Sequence, residues 1–189
     1  PAQPSQRLIA VAERAAAALA LHRLHDRDRG NLMRRVHREI LHGLRADPTS
    51  PDVRQRAELA GLPLRRRKFI GLAIRPSVPV QDPDRFVDIA ASVIRAADAV
   101  GIAALVSEID REILALLSFP RTAAEAAATE RLAAQVHSHH DVTIAAGRVG
   151  DGPAEITLSL TEARLVADAV PGEAGSGNAP VLHRLEDLH

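Results

Sequence analysis

The densest group of side chains that could do chemistry is the run His-Ser-His-His-Asp at positions 137–141, with three imidazoles and a carboxylate. Zinc needs three or four such ligands at about 2.0–2.3 Å from one point. Neighbours at a helix end seldom converge in that way, whereas histidines there interact favourably with the helix dipole. His137, His139 and His140 are therefore weak metal candidates only, and we expect no metal and no cofactor.

A second group is acidic. Glu108, Asp110 and Glu112 alternate along the segment that joins two apolar runs, Ile102–Val106 and Ile113–Phe119. If this segment is extended, alternation places the three carboxylates on one face, where they could hold a divalent cation. A solvated hairpin tip is the simpler alternative. The sequence contains neither a glycine-rich phosphate loop nor a nucleophile elbow.

Composition excludes several function classes. The 189 residues carry 24 Lys+Arg and 24 Asp+Glu, so the zero net charge gives no global electrostatic case for binding nucleic acid. Three Phe and no Tyr or Trp provide no stacking platform for single strands. The absence of Cys excludes thiol chemistry, and no apolar run has the length of a membrane span. Because the chain begins with Pro1, we expect a piece of a longer protein.

A long helix is predicted first, over Ser5–Ala46, from apolar residues at three- and four-residue spacing. Its two apolar stripes flank a polar stretch, His25–Asn31, so either one helix crosses this stretch or two helices meet at a hinge. The stripes predict a coiled-coil seam to a second copy or, equally, a helix lying on its own domain. The stripe residues are Leu8, Val11, Ala15, Leu19, Leu32, Val36, Ile40 and Leu44.

The pattern after residue 47 predicts an α+β domain. A short helix over Ser50–Ala60 precedes the order βαββαβ, and a further helix and an edge strand at Val181–His183 follow. We expect helices on one face of a mostly antiparallel sheet with the hairpin at its centre. The predicted strands are Phe69–Ile74, Ile102–Val106, Ile113–Phe119 and Val142–Val149. One predicted helix follows Pro83, and two more span Thr122–His137 and Pro153–Val170, the last of them followed by a loop at Pro171–Pro180.

Several segments resemble the central part of PucR/CdaR-type bacterial transcriptional regulators. The resemblance extends from about Ala15 to His189 and is carried by LALHRLHDRDRGNLMRRVHREILHGL (19–44), KFIGLAIRP (68–76), AAGRVGDGPAEITLSLTEARLVADAV (145–170) and VLHRLEDLH (181–189). It implies a linking helix over residues 1–47 and, over residues 48–189, a GGDEF-like domain with the ferredoxin-like βαββαβ core of nucleotide cyclases. It also implies a cytoplasmic location and a DNA-binding helix-turn-helix beyond residue 189.

Set beside the diguanylate cyclase motif GGDEF, the hairpin of this chain is degenerate. The five motif positions are occupied, in order, by Ile109, Asp110, Arg111, Glu112 and Ile113. Side chains at the two glycine positions obstruct a nucleotide, and Arg111 reverses an acidic charge. The segment Ile74–Pro79 lacks the metal-binding Asp that ends the first strand of a cyclase. Because two-metal phosphoryl chemistry needs these carboxylates, the resemblance implies a domain that is not an enzyme.

The expected function is that of a signal-transmission and dimerisation module in a transcriptional regulator. It would couple an upstream sensor to a downstream DNA-binding domain. The alternative is a small-molecule sensing domain that binds a metabolite or nucleotide in the degenerate cyclase cleft. The expected partner is a second copy of the chain, with a small-molecule effector in the alternative; DNA would be contacted only through the missing C-terminal part, and no membrane is involved.

Overall fold

A computed structural model describes residues 6–79, 82–170 and 181–188, except for the side chains of residues 6–10, 23–29 and 188. The chain divides into two units, residues 1–35 and 36–189. Helix α1 runs from Gln6 to Ala46 and is unbroken across the polar stretch 25–31. The alternative of two helices meeting at that stretch is therefore wrong. Ser5, where the helix was predicted to begin, lies outside the described residues.

The second unit contains a sheet with the strand order β2-β3-β1-β4, in which all neighbouring strands are antiparallel. This topology confirms the predicted mixed α+β fold with a ferredoxin-like core. No helix among the described residues is long and apolar enough to cross a membrane. The elements are α2 (Pro51–Leu59), β1 (Arg67–Pro76), α3 (Pro83–Ala99), β2 (Ala103–Ile109), β3 (Glu112–Pro120), α4 (Glu125–His137), β4 (Val142–Ala146) and α5 (Ile156–Ala169), with 3-10 turns at Pro153–Glu155 and Leu185–Leu188.

Helices cover both faces of the sheet, so the prediction of a single helical face is wrong. On one face, Ile70, Leu72 and Ile74 of β1 pack with apolar residues of α3 and α4. On the other, Phe69 and Ala73 pack with residues of α2, α5 and the C-terminal part of α1. The cause is visible in the central strands. The six central residues of β1 and all but the last residue of β3 are buried, and a strand that is apolar on both sides needs cover on both sides.

The hairpin is only partly at the centre of the sheet. Strand β3 is central, whereas β2 pairs with β3 alone and forms one edge. At the opposite edge, β4 ends at Ala146, three residues before the predicted end. The predicted edge strand at 181–183 is reduced to a single parallel bridge between Ala145 and His183. The predicted loop Pro171–Pro180 lies outside the described residues.

The short β4 follows from the close approach of α5 to the sheet. The Ser159 hydroxyl accepts a hydrogen bond from the Gly71 amide (2.9 Å) and donates one to the Arg148 carbonyl (2.6 Å). The Gly147 amide still donates to the Gly71 carbonyl over 2.9 Å, but the Gly71 amide bonds to this hydroxyl instead of returning a ladder bond to the following chain. A side chain at Gly147 would collide with the Ser159 carbonyl, only 1.9 Å from an ideal Cβ. The absence of a side chain at Gly147 thus allows α5 to lie directly against the strands.

Candidate functional site

The β2–β3 hairpin closes with a two-residue turn. Asp110 and Arg111 both have positive φ, of 54° and 63°, and Ile109 pairs directly with Glu112. Two consecutive residues with positive φ are typical of the type I′ turn, whose twist matches that of the flanking strands. The predicted polar turn Ser107–Glu112 is therefore shorter than expected, because both strands extend into it.

Glu112, at the start of β3, is buried, with only 3% of its side chain exposed. Two guanidinium groups contact its carboxylate. Arg75 at the end of β1 donates from Nε to Oε2 over 2.8 Å, and Arg164 of α5 forms an ion pair with Oε1. A buried carboxylate is tolerated only when it is paired in this way. Oε2 thus accepts a hydrogen bond from a cation of the chain itself, and Oε1, which accepts no hydrogen bond from the described residues, lies in ion-pair contact with a second one.

Two further carboxylates extend this network. Arg75 donates to Asp168 of α5 over 2.6 Å, and Arg164 reaches Asp110 of the turn at 3.3 Å. Burial disfavours the charge of Arg75, but its hydrogen bonds to Asp168 and Glu112 outweigh this effect and raise its pKa. The network therefore joins β1, β3, α5 and the hairpin turn through permanently charged arginines.

The three alternating carboxylates do not share a face, so that prediction is wrong. Glu108 pairs with Ile113, whose side chain packs towards α3 and α4. Glu112 pairs with Ile109, whose side chain packs towards α5 on the opposite face. The three side chains would alternate onto one face only in an extended segment, and the tight turn at Asp110 and Arg111 interrupts the extended backbone. Both isoleucines of the degenerate motif are buried core residues.

The histidine run bonds locally with the backbone. His137 Nδ1 lies 3.3 Å from the Val142 carbonyl, and His139 Nδ1 lies 2.9 Å from the Gln135 carbonyl in the last turn of α4. Burial lowers the pKa of His140, an effect that the nearby Asp88 opposes. Within the described ranges, no three His, Cys, Asp or Glu side chains are grouped closely enough to hold a metal ion.

The stripe residues of α1 divide between the two units. In the first unit, Val11, Leu19 and Leu32 are 59–65% exposed and Ala15 is exposed, whereas the side chain of Leu8 lies outside the described residues. In the second unit, Val36 is partly buried, and Ile40 and Leu44 are fully buried in the chain's own core. These last two residues cannot take part in a seam with a second copy, and here the helix lies on its own domain.

A contact that the sequence did not reveal joins α1 to the edge strand. The His37 ring is 6% exposed, and its Nδ1 lies 3.2 Å from both the amide and the carbonyl of Val106. The next residue, Arg38, donates from Nε to the Glu108 carbonyl over 3.0 Å. The outer edge of β2 would otherwise expose unpaired backbone groups. Helix α1 therefore covers part of this edge with side chains.

The comparisons with known proteins agree with this fold. The family model for the GGDEF-like domain matches residues 43–169. No curated protein sequence matches the chain significantly. Among solved structures, the chain is similar to the regulator of polyketide synthase expression from Bifidobacterium adolescentis, with 15% sequence identity and a TM-score of 0.56. The match covers 81% of this chain but only 56% of that structure, so the chain spans little more than half of it.

Proposed function

The chain belongs to the GGDEF-like domain family, and we propose that it is a non-catalytic module of a transcriptional regulator. In this proposal it transmits a signal from an upstream sensor to a downstream DNA-binding domain, as in the PucR/CdaR-type regulators, and it dimerises through α1. The structurally similar protein from Bifidobacterium adolescentis is itself a regulator of expression, which supports the same role for this chain.

The pairing of Glu112 is the observation that carries the non-catalytic part of the proposal. This residue stands at an acidic position of the GGDEF motif, yet both carboxylate oxygens are engaged by Arg75 and Arg164. Metal-assisted phosphoryl transfer requires carboxylates that can bind divalent cations. Here the end of β1 supplies Arg75, a cation, to that position. The charges that a metal ion would neutralise are thus already neutralised by guanidinium groups.

The junction of α1 with the sheet supports the transmission part. Ile40 and Leu44 anchor the end of the helix in the core, and His37 and Arg38 bind the backbone of β2. A change in the helix would therefore act on β2 and on the hairpin turn that follows it. In the second copy the same junction is repeated, so a shift in how two α1 helices associate would bias the placement of both domains.

Light scattering of the purified chain tests dimerisation through α1. We expect the mass of two copies in the micromolar range, and the mass of one copy for Leu19→Glu, which places a charge on the exposed stripe. Leu165→Glu is the matched control, since Leu165 is 61% exposed on α5 and Leu19 is 59% exposed on α1. A monomeric wild-type chain, or equal effects of the two substitutions, would contradict dimerisation through α1.

Incubation of the chain with GTP and Mg²⁺ tests the non-catalytic assignment. We expect chromatography to find unchanged GTP and no cyclic dinucleotide. Formation of a guanine cyclic dinucleotide that Glu112→Gln abolishes would contradict the assignment.

A further inference from the structure

A cavity of about 300 Å³ lies between helix α4 and the C-terminal segment. It is lined by Glu130 of α4 and by Val181, Leu182, Arg184 and Asp187. Its volume is at the lower end of the range for small-molecule sites, about 300–1,000 Å³. Four of these five residues follow position 169, where the match to the GGDEF-like family model ends. The cavity is also remote in sequence from the motif hairpin.

The walls of this cavity are held in place by backbone and core contacts. His183 exchanges hydrogen bonds with β4, donating to the Ile144 carbonyl and accepting from the Ala146 amide, both at 2.9 Å. Leu182 is buried in the core beside α4. The chain then turns, because the Arg184 amide donates to the Asp187 carboxylate over 2.8 Å. The cavity is therefore preformed by the fold.

Arg184 has one guanidinium nitrogen that no described residue pairs. Its Nη2 atom is shielded from solvent and has no hydrogen-bond partner among them. A buried polar nitrogen without an acceptor costs about 1–3 kcal/mol, and more when it is charged. A guanidinium group binds a carboxylate in a planar, two-point fashion, which makes a carboxylate the natural ligand group.

The other side chains narrow the ligand class. Glu130 and Asp187 make the lining net negative, with two carboxylates to one guanidinium, so a simple anion would be repelled. A ligand that carries an ammonium as well as a carboxylate satisfies both signs. Val181 and Leu182 offer an apolar surface for the remainder of the molecule. We propose that this cavity binds a free α-amino acid with an apolar side chain.

Isothermal titration calorimetry of the whole chain tests this proposal with leucine, isoleucine, valine and methionine as probes. We expect at least one to bind. Its N-acetyl derivative, which lacks the ammonium, and its amide, which lacks the carboxylate, should each bind at least about tenfold more weakly. Methyl signals of Val181 and Leu182 in NMR spectra should shift with the same concentration dependence.

Two substitutions and a control assign the binding to the cavity. Arg184→Gln should weaken binding at least about tenfold, a loss of about 1.4 kcal/mol. Glu130→Gln lies at an exposed helix position, so it should not endanger folding. It should weaken the binding of the amino acid but leave the binding of the N-acetyl derivative unchanged. Arg131→Gln, at the neighbouring exposed position of α4, should leave binding unchanged.

Three results would overturn the proposal. The first is that no probe binds at about 10 mM. At this concentration even a ligand with a dissociation constant of about 1 mM would occupy most of the sites and measurably stabilise the folded chain. The second is equal binding of a probe and its N-acetyl derivative. The third is unchanged binding in both Arg184→Gln and Glu130→Gln. The proposal does not depend on the signal-transmission role, so either can fail without the other.

Discussion

At the scale of single residues, the carboxylate of Glu112 dominates the hairpin site. It is 3% exposed, and its partners Arg75 and Arg164 are 29% and 28% exposed. A buried ion pair is not by itself a source of stability, because desolvation offsets much of the attraction. Removing only one partner of such a pair does lower stability, however, because the charge of the other partner stays partly buried without compensation. The site therefore holds β1, β3 and α5 in a fixed arrangement.

Glu112→Ala should lower the free energy of unfolding by about 3 kcal/mol, because two guanidinium groups lose their shared partner. Chemical denaturation measures this difference. Glu39→Ala is the control: Glu39 pairs with Arg56 at 2.8 Å, but the two side chains are 57% and 44% exposed. An exposed pair of this kind contributes less than about 1 kcal/mol. Equal losses in the two variants would contradict a special role for the Glu112 network.

His37 makes stability depend on pH. Burial lowers its pKa from the usual value of 6.5, and the hydrogen bond with Val106 opposes this effect only in part. The unfolded chain then binds more protons than the folded chain at pH values between the two pKa values. Stability from this residue is therefore complete above about pH 6.5 and falls as the pH decreases, by at most about 1.4 kcal/mol per pH unit.

Denaturation of the wild type and of His37→Gln between about pH 5 and pH 7 measures this contribution. Glutamine can still bond to the backbone of Val106 but does not titrate, so the variant should show a shallower fall. His140 and His183 also have pKa values lowered by burial and act in the same direction. They leave a residual slope common to both proteins. Identical slopes would contradict the role assigned to His37.

The carboxylate of the site could be predicted from the sequence, but its partners could not. Glu112 stands out because it directly precedes an apolar run and aligns with an acidic position of the motif. Arg75 carried a similar signal, a single charge between the apolar strand and Pro76. In antiparallel strands where Ile74 pairs with Ile113, the next residues, Arg75 and Glu112, come together. That inference needs the register of strand pairing, which two short apolar runs do not fix.

At the scale of elements, the approach of α5 to the sheet depends on two glycines. An added Cβ at Gly71 would lie 2.7 Å from the Leu160 Cα, and one at Gly147 would lie 1.9 Å from the Ser159 carbonyl. Both obstructions are backbone atoms, which cannot rotate away as side chains can. The helix would have to move out from β1, opening the contacts of Ile156, Leu160 and Ala163 in the core.

Gly147→Ala should therefore destabilise the fold by about 2–3 kcal/mol, the cost of overpacking a well-packed interface. Gly152→Ala is a close control in the same connection. Its φ is −174°, an extended conformation open to any residue, and a Cβ there meets no atom within 4 Å. The control should change stability by no more than about 0.5 kcal/mol. Thermal or chemical unfolding distinguishes them, and a tolerated Gly147→Ala would show that α5 can shift without loss.

The elements themselves could be predicted more fully than their arrangement in layers. The periodicity located every helix and strand of the βαββαβ core, because apolar spacing reports the local conformation. The runs Phe69–Ile74 and Ile113–Phe119 are apolar without alternation, which indicates strands covered on both faces. An open antiparallel sheet with one solvated face would alternate. The prediction of a single helical face is wrong because it rests on the order of the elements and not on the burial of these two strands.

At the scale of the whole molecule, the chain consists of two units with different amounts of core. Residues 11–22 of α1 are all exposed. Among the side chains of α1 that the structure describes, the first buried one is His37, followed by Ile40, Leu41 and Leu44. A helix with an exposed apolar stripe gains little stability alone, and tertiary or intermolecular packing must supply the rest. The second unit therefore carries the stable fold, and under the proposed function the first unit would act through association.

Removal of residues 1–31 tests this division. The shortened chain begins at Leu32 and keeps one helical turn ahead of His37, so the contact with β2 retains its helical support. We expect it to fold, because no described core residue is removed. If α1 mediates dimerisation, the unfolding midpoint of the full chain should rise with protein concentration, and that of the shortened chain should not. A shortened chain that fails to fold, or whose midpoint still depends on concentration, would contradict the division, since either result would place essential contacts before Leu32 or the dimer interface after it.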